Sequence, residues 1–497
     1  MEKRKEFWFL MVFSLLAGLV AVLPILIGGL KGTFYSIDPE VMYVGNALSY
    51  IKAHQIQYFD HPGTPSILSL AYLLWPLRIY AKLIAQTPFV LWSLGHYDIV
   101  FFYLRLWQGI VFCLGVFLFL KAVNSITNSK LVVLLAWTVM LLFSPVLRLG
   151  SGITPETLSF LMISVWLWLL ARFLKKPEVD LIPVLSLISG LAVANKFTNL
   201  FLVLASVTLA FTLKSLSTGQ RLANSLIAMI AAATGFVAGT WPIRDKYPLL
   251  FGWVIKLLTS TEIHAGGEKA IFDWLSYKQS VLAVHHQEPW LALVVVLALL
   301  TSVFLGQLRV LVGIFTMGVA IFAKYPLTYY QLANYLILVF LLSALFSRLN
   351  RFLMMGLILI LLFHVRSNMF NHLRSNSLAI TKTTALETFV KEHPAEKATL
   401  WEWGRAKDPA ILLTTSPDWH GSMFAVEKDA LKRPVYELYP IPTDKVFDLC
   451  WDQLYIQKVS VKSFLDKYPG QPLVYNIIPG SDDMILVKSS HCDDRGR

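Results

Sequence analysis

Long apolar runs recur through the first three quarters of this 497-residue chain, and they constrain its fold more than any other feature. A helix needs roughly 20 apolar residues to cross the hydrocarbon core of a bilayer. About eleven runs approach that length, and they lie at 7–30, 99–120, 131–147, 157–174, 181–195, 197–213, 222–241, 290–306, 310–323, 327–346 and 352–365. We therefore predict an all-α polytopic membrane protein with about eleven transmembrane helices.

The charge content supports this prediction. Only 15% of the residues are charged, whereas a soluble domain carries roughly 25%. The formal net charge of +12 would suggest nucleic-acid binding in a soluble protein. Here the basic residues cluster in short turns between apolar runs and form no stripe interleaved with aromatic residues. Membrane lipids are the expected surroundings, and nucleic acid is not an expected partner.

The distribution of lysine and arginine predicts the orientation. The first run follows Met1-Glu2-Lys3-Arg4-Lys5, is too long for a signal peptide and lacks a small-x-small cleavage site, so we expect a retained helix with a cytoplasmic N-terminus. Every second turn is then basic, as cytoplasmic turns usually are; these turns carry Lys121, Lys130, Arg172, Lys175, Lys176, Lys214, Arg221, Arg309, Arg348 and Arg351. We predict an integral protein of a bacterial inner or plasma membrane.

Two domains are expected. Residues 1–370 would form the transmembrane domain, with long outer loops at 31–98 and 242–289. Within the first loop, the apolar piece 66–85 is interrupted by Pro76, Arg78 and Lys82, which favours an interfacial or re-entrant helix over a crossing. Residues 375–497 contain short strand-like runs (PLVYNIIPG and MILVKSS) among charged turns, which predicts a small extracytoplasmic α/β domain.

Cysteine usage leaves a question open in that second domain. Cys113 lies in an apolar run, where we expect a small buried hydrophobe. Cys450 and Cys492 could form a disulfide if their domain is extracytoplasmic, and two free thiols are the alternative.

The unusual polar residues concentrate in the predicted outer loops, beginning directly after the first helix. Asp38 precedes Pro39 and Glu40 there. A purely structural interpretation is a helix start, with Asp38 as N-cap and Glu40 complementing the helix dipole. The functional alternative is that Asp38 acts as a general base, or orients an acceptor group, next to the bilayer surface. The following VMYVGNALSYIKAH has helical amphipathic spacing and would lie along the interface.

Four further segments have both a structural and a functional interpretation. His61 lies in a proline-rich turn, and Glu156 follows Thr154-Pro155 in another helix-start pattern, with Arg148 shortly before it. Lys196 lies between two apolar runs, where it either extends its ammonium toward the interface or meets an anion. Tyr325 belongs to an aromatic cluster, 324–330, typical of a membrane interface.

The order of these features is more informative than any one of them. An acidic helix start, a His-Pro turn, Arg105 opening the second span, an acid at the head of the fourth span and a later Gly…Lys follow in succession. This succession, over roughly residues 1–345, resembles the GT-C superfamily of polyprenyl-phosphate-sugar glycosyltransferases, especially protein O-mannosyltransferases and lipid A aminoarabinose transferases. The chain departs from the family pattern in Pro39 and in the His-Pro-Gly sequence.

The resemblance implies a function and a set of site residues. Asp38 and Glu40 match the family's catalytic acidic pair, and Glu156 would be a supporting acid. His61 and Lys196 would lie near the lipid phosphate. The donor would be a polyprenyl-phosphate-linked sugar, and the acceptor a glycan, lipid or protein hydroxyl. The carboxylate would take the acceptor's proton while the sugar carbon is attacked opposite the phosphate, which inverts the anomeric configuration. The side chains that would bind the donor are those of Arg105, Arg148, Lys196 and Tyr325. The three cationic ones would stabilise the negative charge on the departing phosphate.

Other functions remain possible on sequence grounds. A secondary transporter usually shows repeated halves and polar residues at the membrane midplane, and we find neither in the sequence. A glycan polymerase or ligase of another family would share the donor chemistry. A non-catalytic, receptor-like protein would bind ligands with the C-terminal domain. We expect no cofactor; His264, His285 and His286 could hold a divalent metal, but their spacing matches no familiar ligand set.

Overall fold

The computed structural model describes residues 2–29, 40–58, 63–213, 216–260 and 273–392, together with five short strands beyond them. Within these residues the chain forms eighteen α-helices: α1 Glu2–Gly28, α2 Glu40–Ala53, α3 Thr64–Leu73, α4 Trp75–Leu83, α5 Phe89–Gly95, α6 Tyr97–Thr127, α7 Lys130–Leu142, α8 Ser144–Arg148, α9 Pro155–Lys175, α10 Leu181–Asn195, α11 Leu200–Thr212, α12 Thr218–Thr240, α13 Tyr247–Thr259, α14 Trp274–Gln287, α15 Pro289–Thr301, α16 Arg309–Phe322, α17 Leu332–Phe346 and α18 Arg351–Glu392.

The helical segments confirm the membrane assignment. In the described part of the chain, seven are long and apolar enough to cross a bilayer, and four shorter apolar helices accompany them. Each of these eleven coincides with one apolar run of the sequence. Many large apolar side chains on them are exposed, for example Leu226, Ile230 and Val237 on α12, as expected of a surface that faces lipid. The chain is an all-α integral membrane protein over this part.

The chain divides into two compact units. The first comprises Met1–Leu23, Tyr58–Ser69 and Arg105–His372, and the second comprises Pro24–Gln57, Leu70–Leu104 and Leu373–Arg497. The core of the first unit contains the helices that are buried on most sides, α7, α9 and α17. The domain limits predicted from the sequence, at 370 and 375, remain a prediction.

Helices α10 and α12 of the first unit pack with almost no space between their backbones. A Cβ atom added at Gly190 would lie 1.9 Å from the carbonyl oxygen of Ala232, and one added at Gly235 would lie 2.2 Å from that of Leu187. Small residues permit such close approach between membrane helices, where van der Waals packing replaces the hydrophobic effect. The contact fixes the position of α10, which ends at Asn195.

The run predicted as a single span over 131–147 is two helices that break at Phe143. Its backbone is extended there (φ −79°, ψ 107°), so the last carbonyls of α7 have no helical partners. The Tyr335 hydroxyl donates to the carbonyl of Val139 at 2.6 Å, and the Asn368 amide donates to that of Leu142 at 3.0 Å. Side chains from α17 and α18 thus satisfy the carbonyls of the broken helix, as a chain surrounded by lipid requires.

Two predictions for the first outer loop have different outcomes. The piece at 66–85 forms α3 and α4, and neither has the length of a span, which agrees with an interfacial or re-entrant segment. The prediction that α2 lies along the interface as an amphipathic helix was wrong, because residues 40–49 are all buried. Its polar residue Asn46 bonds inside the chain, donating to the Met42 carbonyl and accepting from the Gln57 amide, both at 2.8 Å. In the sequence, Asn46 looks like part of a water-facing side of α2, but its side chain forms its hydrogen bonds inside the protein.

The C-terminal strands form one mixed sheet. They are β1 Lys397–Leu400, β2 Val435–Leu438, β3 Gln453–Gln457, β4 Val474–Ile477 and β5 Met484–Lys488, in the order β2-β1-β3-β5-β4. Strand β1 pairs in parallel with β2 and β3, with Leu400 opposite Leu438 and Tyr455. The β3–β5 and β4–β5 pairs are antiparallel. The two runs identified in the sequence are β4 and β5.

Candidate functional site

An ion pair between Lys196 and Glu156 forms the centre of the candidate site. Lys196 follows the last residue of α10, and Glu156 lies in the first turn of α9. The Lys196 Nζ atom donates to Glu156 Oε1 in direct contact. Both residues are buried, with exposed fractions of 4% and 8%. Of the two alternatives given for Lys196, the structure shows contact with an anion, the Glu156 carboxylate, and the ammonium does not extend into water.

Two tyrosine rings cover the same ammonium. The Lys196 Nζ atom lies 4.4 Å from the ring centroid of Tyr329 and 5.0 Å from that of Tyr330. Both tyrosines belong to the short 3-10 turn Thr328–Gln331 that precedes α17. The negative faces of aromatic rings attract a cation at these distances. The cluster that the sequence suggested as an interfacial belt therefore contributes to the site through Tyr329 and Tyr330.

Asn195 fixes the backbone around this pair and uses its whole amide to do so. Its Nδ2 donates to the Pro155 carbonyl at 2.6 Å and to the Ser159 hydroxyl at 2.9 Å. Its Oδ1 accepts from the Ser66 amide at 3.1 Å and the Ser66 hydroxyl at 2.7 Å. One buried side chain thereby joins the end of α10, the start of α9 and the start of α3. Asn195 directly precedes Lys196 in the chain, and no local sequence pattern indicated its role.

The segment after the His-Pro turn joins the same centre. The Gly63 amide donates to the Asn195 carbonyl at 3.1 Å. Gly63 has φ of +51°, a left-handed conformation that a residue with a side chain rarely adopts, so glycine is required here. His61 itself lies outside the described residues, and its predicted place near the lipid phosphate remains a prediction.

The remaining predicted site residues are distributed over the fold. Asp38 lies outside the described residues. Glu40 begins α2 and is fully buried in the second unit. Arg105 lies on α6 with an exposed fraction of 1%, and Arg148 ends α8 and is exposed. The structure brings together Glu156 and Lys196 from the predicted set, and the roles of all these residues remain predictions.

Tyr325 closes the C-terminal end of a neighbouring helix. Its hydroxyl donates to the carbonyl of Leu257 near the end of α13, and Lys324 Nζ donates to the carbonyl of Leu258 at 3.0 Å. These bonds satisfy carbonyls that a helix end leaves without partners, and the cation complements the helix dipole. Burial raises the pKa of the Tyr325 hydroxyl and lowers that of Lys324. Tyr325 therefore caps the end of α13, and its contact with the donor remains a prediction.

A buried carboxylate that the sequence analysis missed lies at the break between α7 and α8. Glu288 has an exposed fraction of 2% and accepts from the backbone amide of Ser144 at 3.2 Å and from the Ser144 hydroxyl. Burial raises the pKa of Glu288, while the Ser144 hydrogen bonds and the charge of Arg148 oppose that rise. Its sequence context, two residues after His286, gave no sign of burial, because Ser144 is far away in the chain.

The histidines named as potential metal ligands do not form a cluster in the part of the chain that the structure describes. His285 and His286 are exposed on α14, and His264 lies outside the described residues. Among the residues that the structure describes, no three histidine, cysteine or acidic side chains gather as a metal site would require. Cys113 is a half-buried free thiol, whereas Cys450 and Cys492 lie outside the described residues.

Comparison with solved structures identifies a similar fold over the whole chain. The crystal structure of ArnT from Cupriavidus metallidurans bound to undecaprenyl phosphate matches with a TM-score of 0.55, covering 97% of this chain and 98% of that chain. The sequences are 10% identical. No family model matches the chain, and a search of curated proteins finds no similar sequence. The chain therefore shares the fold of ArnT, an all-α membrane fold as the sequence predicted.

Proposed function

We propose that this protein is an integral-membrane glycosyltransferase that moves a sugar from a polyprenyl-phosphate donor to a hydroxyl group of a glycan, lipid or protein acceptor. The reaction takes place at the extracytoplasmic face by a single inverting displacement. The polyprenyl tail of the donor stays in the bilayer, and its sugar-phosphate lies at the surface, at the ends of α9 and α10.

One observation carries this proposal. A buried lysine-carboxylate pair, covered by two tyrosine rings, lies at the helix ends of a fold shared with a protein whose crystal structure contains undecaprenyl phosphate. Ionisable residues at membrane depth are costly to bury and usually mark the path of a substrate or ion. A cation in a water-poor site at the bilayer surface is suited to a lipid-linked phosphate.

In the proposed mechanism, Glu156 supports Lys196, and the other predicted residues act on the acceptor or the donor. Asp38 takes the proton of the acceptor hydroxyl, with Glu40 beside it in sequence, and Lys196 contacts the donor phosphate. Arg105, Arg148, His61 and Tyr325 complete the binding of the phosphate and sugar. As the sugar–phosphate bond breaks, negative charge grows on the phosphate oxygen, and fixed cations lower the energy of that transition state.

The direct test uses the purified full-length protein in lipid nanodiscs. A panel of radiolabelled polyprenyl-phosphate sugars is incubated with the protein together with envelope glycans, lipids and proteins. We expect one member of the panel to lose its label from the lipid fraction and to transfer it to an acceptor. Retention of label on every donor, with a correctly folded protein, would contradict the proposal.

The Asp38→Asn variant separates helix capping from proton transfer. Asparagine is as good an N-cap as aspartate, but it cannot accept the acceptor's proton. We expect turnover to fall by about 10²- to 10⁴-fold, the usual contribution of a positioned base, with an unchanged unfolding midpoint.

Asp180→Asn is the matched control, because Asp180 is exposed at the N-cap position of α10 and its side chain makes no capping bond. This variant should keep its turnover. Near-normal turnover in Asp38→Asn would return Asp38 to the role of a cap.

A further inference from the structure

We propose that Glu156 is a competing anion that shares Lys196 with the lipid phosphate. Its carboxylate holds the Lys196 ammonium before the donor binds, gives it up to the donor phosphate, and takes it back to release the polyprenyl phosphate product. This inference rests on the proposed function and assigns to Glu156 a role in product release.

The burial of the pair requires that an anion always accompanies Lys196. An ammonium with an exposed fraction of 4% is strongly destabilised when it loses its counter-charge. Two anions on the same ammonium repel each other, so a phosphate and the Glu156 carboxylate do not share it at full contact. The direct contact between Lys196 and Glu156 therefore makes phosphate binding an exchange of one anion for another.

The backbone on both sides of the pair is fixed, which confines the exchange to side chains. Asn195 donates to the carbonyl of Pro155, the residue before Glu156, and Ser159 accepts from both Asn195 and Asn199, the latter at 3.0 Å. These bonds hold the start of α9 against the end of α10. Rotation of the Glu156 side chain accomplishes the exchange without any helix movement.

Both partners keep a favourable environment when they separate. Glu156 is the second residue of α9, whose first amide groups have no helical partners and attract a carboxylate. The rings of Tyr329 and Tyr330 continue to attract the Lys196 ammonium, at 4.4 and 5.0 Å. The cation therefore stays in position while its anion changes.

The chemistry of transfer makes such a competitor useful. The acceptor oxygen bonds to the sugar carbon, its proton passes to Asp38, and the electron pair of the broken sugar–phosphate bond stays on the phosphate oxygen. The donor phosphate is a diester with one negative charge, whereas the product is a monoester with about −1.5 to −2 charges near pH 7. Lys196 thus attracts the product more strongly than the donor. A carboxylate that competes for the same ammonium weakens this stronger attraction for the product, and product release is therefore faster.

The sign of an affinity change tests the proposal. The probe is undecaprenyl monophosphate, which is titrated into the full-length protein in nanodiscs. Its affinity is compared among the wild type, Glu156→Gln and the double variant Glu156→Gln/Lys196→Gln. Removing the competitor should tighten probe binding about tenfold or more, as expected for a charge-assisted contact. The double variant lacks the Lys196 ammonium, so it should not show this increase in probe affinity. With a sugar donor, Glu156→Gln should lower KM and kcat together.

A residue that only positions Lys196 would behave in the opposite way. Equal or weaker probe binding in Glu156→Gln would overturn the proposal. If that variant folds poorly, Glu156→Asp provides the test: its carboxylate is one methylene shorter and holds Lys196 less well, so probe affinity should rise several-fold, and an unchanged or lower affinity would be contradictory. Wild-type protein that neither binds the monophosphate nor releases sugar would instead refute the proposed function.

Discussion

Lys196 carries one positive charge where only 4% of the residue is exposed, so Lys196→Gln has two separable consequences. Glutamine cannot make a charge-assisted contact, which is worth roughly 1.5–3 kcal/mol, and donor affinity should fall about ten- to a hundredfold. Glu156 also loses its cation, which costs up to about 3–5 kcal/mol of stability, and the first amide groups of α9 offset part of that cost. Donor titration measures the first effect and chemical unfolding the second. The pH profile of turnover should keep its shape, because the Asp38 carboxylate is intact.

Two further variants complete this experiment. Lys196→Arg should restore part of the affinity, since the guanidinium keeps the charge but presents its donors in a planar fork. Lys278→Gln removes an exposed lysine from α14 and should leave donor affinity unchanged. If Lys196→Gln binds donor as well as wild type does, Lys196 only neutralises Glu156 and does not bind phosphate.

At the level of single residues, the sequence identified charges more readily than their partners. Glu156 and Lys196 were both candidates, because a charge beside an apolar run is conspicuous. Their mutual contact spans forty positions of the chain, and no local spacing encodes it. Asn195 and Glu288 were missed for the same reason: their importance comes from bonds to Ser66, Pro155 and Ser144, which only the folded chain brings near them.

The close contact between α10 and α12 predicts a strong effect of one added methyl group. Gly190→Ala would place a Cβ atom 1.9 Å from a backbone oxygen of α12, and neither backbone can yield without moving a whole helix. Overpacking of this kind costs typically about 1–3 kcal/mol. Because α10 ends at Asn195, activity should fall together with the unfolding midpoint measured in detergent.

Gly313→Ala provides the control for that substitution. Gly313 also lies within an apolar helix, α16, but a Cβ atom added there meets nothing within 4 Å. The extra methyl group should leave stability unchanged or raise it by up to about 1 kcal/mol, the difference in helix propensity between the two residues. Equal behaviour of the two variants would show that the α10–α12 contact can relax.

At the level of elements, the length of the apolar runs predicted the helices correctly, but it did not predict where a helix breaks. All eleven runs are helical, because a backbone in lipid must satisfy its own hydrogen bonds. The break at Phe143 escaped detection, since Tyr335 and Asn368 compensate it from distant helices. The burial of α2 escaped detection as well, because Asn46 has the same polarity whether it faces water or bonds inside the protein.

At the level of the whole molecule, the fold is far better preserved than the sequence. The chain and ArnT share a fold over nearly their full lengths at 10% identity. Membrane helices require apolar residues of suitable size, and many different sequences meet that requirement. The hydropathy pattern could therefore predict the fold class, whereas the contact between Glu156 and Lys196 depends on long-range packing that the pattern does not contain.

The orientation of the whole chain gives the last prediction. The described residues contain seven long and four shorter apolar helices, which is an odd number of crossings if each spans the bilayer, so residue 375 is expected on the side opposite the N-terminus. With basic turns in the cytoplasm, alkaline phosphatase fused after residue 375 should be active, because it folds only outside. The same enzyme fused after residue 128, between α6 and α7, should be inactive, and a cytoplasm-dependent reporter should show the reverse pattern. Lys196 lies between the fifth and sixth of these helices, on the same side as residue 375. Reporter activities opposite to these would place the Lys196–Glu156 pair at the cytoplasmic surface, where an extracytoplasmic donor could not reach it.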